Sequence, residues 1–104
     1  MISNNSRIFI TGHKGLVGSA VYNLLKKKKF KKLITADRKK LNLLNTKKVY
    51  NFVKKHKINV IINCAAKVGG ILANSNNPID FLYENIQMQN NLLLTAREFK
   101  VNRF

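Results

Sequence analysis

The chain has 104 residues, 45% of them hydrophobic, and 20 Lys and Arg against 4 Asp and Glu, for a formal net charge of +16. That length suits one domain with a real core, and the single cysteine excludes an internal disulfide framework and fits a reducing compartment. No run of about 18 apolar residues is present to form a membrane-spanning helix, and Met-Ile-Ser-Asn-Asn-Ser at the start holds no apolar signal core, so a cytoplasmic location is the default expectation.

Residues 1–6 are a polar lead-in. Ile8, Phe9 and Ile10 form a short apolar run, as in a parallel strand buried on both faces, and predict a first strand over 7–11. Glycines follow at 12, 15 and 18. Gly12 can take a positive φ and turn the chain, Gly15 lets a phosphate approach the backbone, and Gly18 lets the next helix pack close to its strand. The free N–H groups at that helix start would face an anion. The spacing is GxxGxxG rather than the commoner GxGxxG, so its weight comes from its place between an apolar strand and a helix.

A first helix is predicted from Leu16 to Lys28, with Leu16, Val17, Ala20, Val21, Leu24 and Leu25 as one apolar stripe. Leu33 to Ala36 read as a second strand ending at Asp37-Arg38. A polar loop over 39–45 surrounds Leu41, Leu43 and Leu44. Thr46 is the expected N-cap of a second helix over 47–56, with Val49, Tyr50, Phe52 and Val53 facing inward. Asn59 to Ala65 predict a third strand, which Lys67-Val68-Gly69-Gly70 breaks. Asn77 as cap, Pro78 at the first position and Asp80 at the third start a long helix to about Phe99. Its expected inner stripe is Leu82, Ile86, Leu93 and Ala96, interrupted by Asn85 and Asn90. Val101 to Phe104 read as the first residues of a fourth strand. The alternation predicts a Rossmann-like α/β fold, a parallel sheet with helices on both faces and right-handed crossovers, truncated at the start of its fourth strand.

The lysine runs fall at predicted helix ends and loops, and those at a helix C-terminus suit the macrodipole. They are spread along a chain also rich in Asn and Ile, which favours a solvated lysine surface and compositional bias over a nucleic-acid interface.

Asp37 stands where an acidic residue would accept hydrogen bonds from an adenosine ribose and so favour NAD. Arg38 and Lys39 favour the 2′-phosphate of NADP. The residues alone leave both cofactors open. Asn63-Cys64-Ala65-Ala66 lies at the carboxyl edge of the sheet, where ligands bind in open α/β folds. Cys64 reads as a small buried hydrophobe rather than a nucleophile. His13 sits in the phosphate turn and His56 near a helix end, and no His/Cys cluster suggests a metal. None of Tyr22, Tyr50 and Tyr83 is followed four residues later by Lys, and no Ser-His-Asp set can be assembled. The chain presents a cofactor half-site and no visible catalytic residue.

Residues 8–20, Leu41-Asn42-Leu43-Leu44 and above all Ala65-Ala66-Lys67-Val68-Gly69-Gly70-Ile71-Leu72-Ala73-Asn74, continued by Pro78, Phe81, Tyr83 and Asn85, resemble the N-terminal part of the GDP-L-fucose synthase family, extended short-chain dehydrogenase/reductases. That family epimerises GDP-4-keto-6-deoxy-D-mannose and reduces its 4-keto group with NADPH. The resemblance implies NADP as cofactor, held by Gly12, His13, Lys14, Gly15, Leu16, Val17 and Gly18 at the pyrophosphate and Arg38 near the 2′-phosphate. It also places Leu41, Ala65 and Ala66 beside the cofactor. The family's catalytic Ser, Tyr and Lys would lie beyond residue 104, so residues 1–104 are expected to be the N-terminal part of the dinucleotide-binding domain, without a substrate domain and inactive alone. Asp37 departs from the small or polar residue of that family. The resemblance further implies a GDP-sugar substrate and a homodimer built on the long helix. A non-catalytic dinucleotide-binding module and, less favoured, a basic nucleic-acid-binding protein are the alternatives. In a 3-2-1-4 strand order a truncated fourth strand would leave strand one with an open apolar edge, and the chain is then expected to be poorly soluble or partly molten.

Overall fold

The computed structural model describes residues 2–65 and 78–104. In chain order the elements are β1 (Arg7–Thr11), α1 (Leu16–Lys27), β2 (Lys32–Ile34), α2 (Thr46–His56), β3 (Val60–Asn63) and α3 (Pro78–Glu98). The break at 67–70 and the Asn77 cap lie outside the described residues.

The three strands are parallel in the order β2-β1-β3. Ile8 pairs with Leu33 on one side and with Val60 on the other, which makes β1 the central strand. Its side chains alternate between two cores. Phe9 joins Ile61, Val49, Val53, Leu92 and Ala96 under α2 and α3. Ile8, Ile10 and Val60 meet Val21, Tyr22 and Leu25 of α1 on the opposite face. Helices therefore cover both faces, as the alternating pattern implies.

This order corrects the expected one. β3 pairs with β1 in the place that a fourth strand was expected to take, and in the loop before α2 Leu41 and Leu43 turn into the core under α2 and α3. Strand one has no open edge, and the expected insolubility loses its premise. The start of the next strand lies outside β3: Arg103 bridges Val60 in parallel, the Ile61 N–H donates to the Arg103 carbonyl (2.9 Å) and the Asn102 N–H to the Asn59 carbonyl (2.8 Å). The second and third predicted strands also run long. Thr35 and Ala36 fall outside β2, and Asn59, Cys64 and Ala65 outside β3.

Each of the described helices ends in the same way, through a lysine with positive φ: Lys29 (67°), Lys57 (50°) and Lys100 (52°). After α1 the Phe30 N–H reaches the Leu25 carbonyl and the Lys29 N–H the Lys26 carbonyl. The pairs Ile58–Val53 with Lys57–Lys54, and Val101–Ala96 with Lys100–Arg97, repeat the pattern. These are Schellman closures, with an apolar residue five positions after another apolar residue and the chain turned into the next strand.

Helix rotation departs from the periodicity. In α1 the buried residue is Gly18, with Val21, Tyr22 and Leu25 behind it, while Leu16, Val17 and Leu24 point outward and Leu16 is 90% exposed. The cause is the close seating of Gly18 on the turn before the helix. In α2 the cap is Asn45, not Thr46: its Oδ1 accepts from the Lys48 N–H (3.0 Å). Val49 and Val53 are buried and Phe52 half-buried, but Tyr50 sits at the rim, its ring 4.5 Å from that of Phe99.

In α3 the inner residues are Asn91, Leu92, Thr95 and Ala96, and the expected Leu82, Ile86 and Leu93 are exposed. Asn91 can be buried because its side chain is satisfied. Nδ2 donates to the Leu43 carbonyl (2.8 Å), and Oδ1 accepts from Gln87 Nε2 (2.9 Å) and the Thr46 hydroxyl (3.2 Å).

Two outcomes are expected. Lys57→Gly, which relieves the left-handed conformation, raises stability by about 0.5–1 kcal/mol in urea unfolding. His56 packs on Phe52, with ring centroids 4.3 Å apart, and burial, then Lys55 and Lys40, hold its pKa below the ordinary 6.5. The folded state thus favours neutral imidazole. Its contribution is full above pH 6.5 and is lost as pH falls through the lowered folded value, a loss that His56→Gln abolishes in pH-dependent melting curves.

Candidate functional site

At the carboxyl ends of the strands the backbone of β1 turns through Gly12 (φ 67°) into α1. A Cβ on Gly12 would stand 2.7 Å from the carbonyl carbon and oxygen of Cys64. A Cβ on Gly18 would overlap the Gly12 carbonyl oxygen and lie 2.6 Å from its carbon. Gly15 differs: a Cβ there meets only the Gly12 carbonyl oxygen, at 3.4 Å. The first and third glycines are required by close approach of backbone, as their spacing implies. The middle one closes the turn, its N–H donating to the Gly12 carbonyl (3.0 Å).

Thr11 holds this turn to the end of β3. Its buried hydroxyl donates to Asn63 Oδ1 (2.6 Å) and accepts from the N–H groups of Cys64 and Ala65, both at 3.1 Å. No side chain caps the start of α1, and no acidic residue stands in its first turn. The uncapped N–H groups and the positive end of the helix dipole are left for an anion.

Across from the turn, Asp37 is engaged through both carboxylate oxygens. Oδ1 accepts from the Lys40 N–H (2.9 Å), and Oδ2 pairs with Lys14 Nζ at 3.3 Å. The Lys40 N–H first and Lys14 second hold this carboxyl below its ordinary 3.8, so it stays charged at neutral pH.

Between these walls lies a cavity of about 580 Å³, a volume ordinary for a small-molecule or cofactor site. Gly12, His13, Lys14, Gly15, Leu16, Val17, Arg38, Leu41 and Ala65 all line it. Gly18 is buried behind the turn and does not line it; Ala66 lies outside the described residues. The sequence reading missed Phe9, Thr11, Ala36, Asn42, Leu43 and Leu44 in the wall, and Glu84 and Met88, which α3 brings over. Thr11 could have been found from its place at the strand end. Glu84 and Met88 carry no local signal, because only the crossing of α3 puts them there. Cys64, a free half-buried thiol, also lines the cavity.

Tyr22 packs on the α1 core, Tyr50 on Phe99, and Tyr83 is exposed on α3, so none reaches the cavity. Among the described residues no group of three or more His, Cys, Asp or Glu could hold a metal, and no helix is long and apolar enough to cross a membrane.

A parallel sheet covered on both faces, a glycine turn into an uncapped helix and a cavity at the carboxyl edge define a Rossmann-like α/β protein. More particularly, the chain belongs to the NAD dependent epimerase/dehydratase family, whose model matches residues 8–104. It is 38% identical over 100 residues to GDP-L-fucose synthase of Escherichia coli K12, covering 96% of this chain and 31% of that protein. Identity to GDP-L-fucose synthase of Sinorhizobium fredii is 44% over 90 residues, 86% of this chain and 28% of that one. Among solved structures, GDP-mannoheptose C4 reductase from Campylobacter jejuni with NADP bound superposes with a TM-score of 0.90 at 35% identity, over 97% of this chain and 30% of that one. A GDP-L-fucose synthetase from Naegleria fowleri bound to NADP gives 0.81 at 31% identity, over 96% and 30%. The chain thus spans less than a third of the length of these relatives. The family resemblance read from the glycine turn and the Ala-Ala-Lys-Val-Gly-Gly stretch is borne out.

The three glycines should answer differently to the same change. Gly18→Ala and Gly12→Ala each cost about 1–3 kcal/mol through forced backbone movement, whereas Gly15→Ala costs less than half as much. Urea midpoints of the three variants check the ranking.

Proposed function

We propose that this chain is the NADP-binding part of an epimerase and reductase that converts GDP-4-keto-6-deoxy-D-mannose to GDP-L-fucose. The observation that carries the reading is the cavity itself, walled by the uncapped glycine turn on one side and by Arg38 and Leu41 on the other. The residues fit the cofactor. Gly12 to Val17 offer backbone N–H groups to a pyrophosphate, and Gly18 keeps α1 close enough for them to reach it. Arg38 offers a fork to a 2′-phosphate. Leu41 and Ala65 supply small or apolar surface along the adenosine and the nicotinamide. When bound, the cofactor supplies the hydride for the keto reduction.

Relatives whose names specify GDP-sugars support the substrate class, and those with NADP bound support the cofactor over NAD. No tyrosine of this chain reaches the cavity, so these residues orient the cofactor and leave the sugar's acid/base chemistry to groups outside them. On this reading residues 1–104 form the N-terminal part of the dinucleotide-binding domain and are inactive alone, in the cytoplasm. The exposed row Ile79, Leu82, Tyr83 and Ile86 on α3 supports assembly as a homodimer.

The test is a fluorescence titration of the chain with NADPH and NADH. Saturable binding with NADPH preferred is expected, and Arg38→Met weakens NADPH about tenfold or more through the lost charge-assisted bond. Absence of saturable binding by either dinucleotide would overturn the proposal.

A further inference from the structure

Asp37 poses a conflict for a site that takes NADP. A carboxylate just past β2 ordinarily accepts the ribose hydroxyls of NAD and repels a 2′-phosphate. Here neither of its oxygens is idle. The Lys40 N–H holds Oδ1 within the turn that the Asp37 carbonyl also closes, accepting from the Lys40 N–H (3.1 Å) and the Leu41 N–H (2.9 Å). Lys14 reaches over from the glycine turn to Oδ2 (3.3 Å), and both side chains line the cavity.

We propose that Lys14 is a specificity-determining positioning residue: by pairing with Asp37 it cancels the one carboxylate that would exclude a 2′-phosphate, and so sets the NADP preference of the site. The inference rests on the cofactor reading above. With the pair formed, Arg38 meets the 2′-phosphate without an opposing charge beside it. With the pair broken, Asp37 is a bare anion next to the phosphate position, and its free Oδ2 can take a ribose hydroxyl. The pair is solvent-exposed, with side chains 72% and 39% accessible, so it adds little to stability. Its effect lies in which ligand charge the site tolerates.

The test is a cycle of Lys14→Met, Asp37→Asn and the double variant, each titrated with NADPH and NADH. The ratio of the two affinities is the readout, because contacts to the shared pyrophosphate cancel in it. Asn at 37 can still accept from the Lys40 N–H, so the turn keeps its cap. Lys14→Met is expected to lower the NADPH:NADH preference about tenfold, as an uncancelled charge a few ångströms from a phosphate would. Asp37→Asn alone changes it less than about threefold, and adding Asp37→Asn to Lys14→Met restores it to within about threefold of the wild-type value. Equal ratios for Lys14→Met and the double variant would overturn the proposal, since Lys14 would then act on the ligand directly. An unchanged ratio in Lys14→Met would do the same. In both cases wild-type binding leaves the cofactor reading standing; a wild-type chain that binds neither dinucleotide overturns both.

Discussion

Three segments of backbone meet at Gly12 with no room for a side chain between them: the glycine turn, the end of β3 at Cys64, and the first turns of α1 at Gly18. Much of the described structure follows from this contact. It decides how α1 is rotated, since Gly18 must face inward, and so which residues of that helix enter the core. It puts the start of α1 directly above the end of the central strand. The Thr11 hydroxyl then joins the ends of β1 and β3 through the Asn63 side chain and two main-chain N–H groups. The junction of β1 and β3 beneath the cavity is thus a satisfied polar network on rigid elements, a condition for a site that holds its shape before a ligand arrives.

Basic side chains stand at both ends of the sheet, with Lys14 and Arg38 at the cavity and Lys47 and Lys48 in the first turn of α2. In a parallel α/β fold the helix C-termini and strand N-termini share one end. Lys26 and Lys27, Lys54 and Lys55, and Arg97 occupy the last turns of α1, α2 and α3, where they complement the helix dipoles. The opposite end holds the uncapped start of α1 and the cavity. The helix dipoles account for the placement of these C-terminal lysines and of Arg97. The left-handed lysines at 29, 57 and 100 belong to this arrangement, each ending a helix and directing an apolar residue back onto the helix it leaves.

The long helix α3 buries Leu92 and Ala96 but departs from the usual distribution of side chains at other positions. It buries Asn91 and Thr95 and exposes Ile79, Leu82, Tyr83 and Ile86. The first is stable because Asn91 joins α3 to the 41–44 segment and to α2 by hydrogen bonds. The second leaves an apolar row exposed along the helix among the described residues. The relatives are about three times as long as this chain, and both the row and the cavity belong to a larger catalytic unit in the proposed reading.

The sequence by itself determined the α/β class, the positions of the three strands to within two residues, the glycine turn and nine of the residues that line the cavity. Those features are local: an apolar run of about three residues, glycines at 12, 15 and 18 after the first strand, an arginine after the second. Strand order, the rotation of α1 and α3, and the arrival of Glu84 and Met88 at the cavity were decided only by tertiary structure. Strand order depends on which side of the sheet each crossover returns to, and the apolar run at 60–62 suits a place beside β1 as well as one beside β2. Helix rotation depends on the one tightest contact, Gly18 on Gly12, which outweighs an average over apolar side chains. The fate of Asp37 was open for the same reason. Whether a carboxylate is free or cancelled depends on Lys14, a residue 23 positions away in the chain and 3.3 Å away in space.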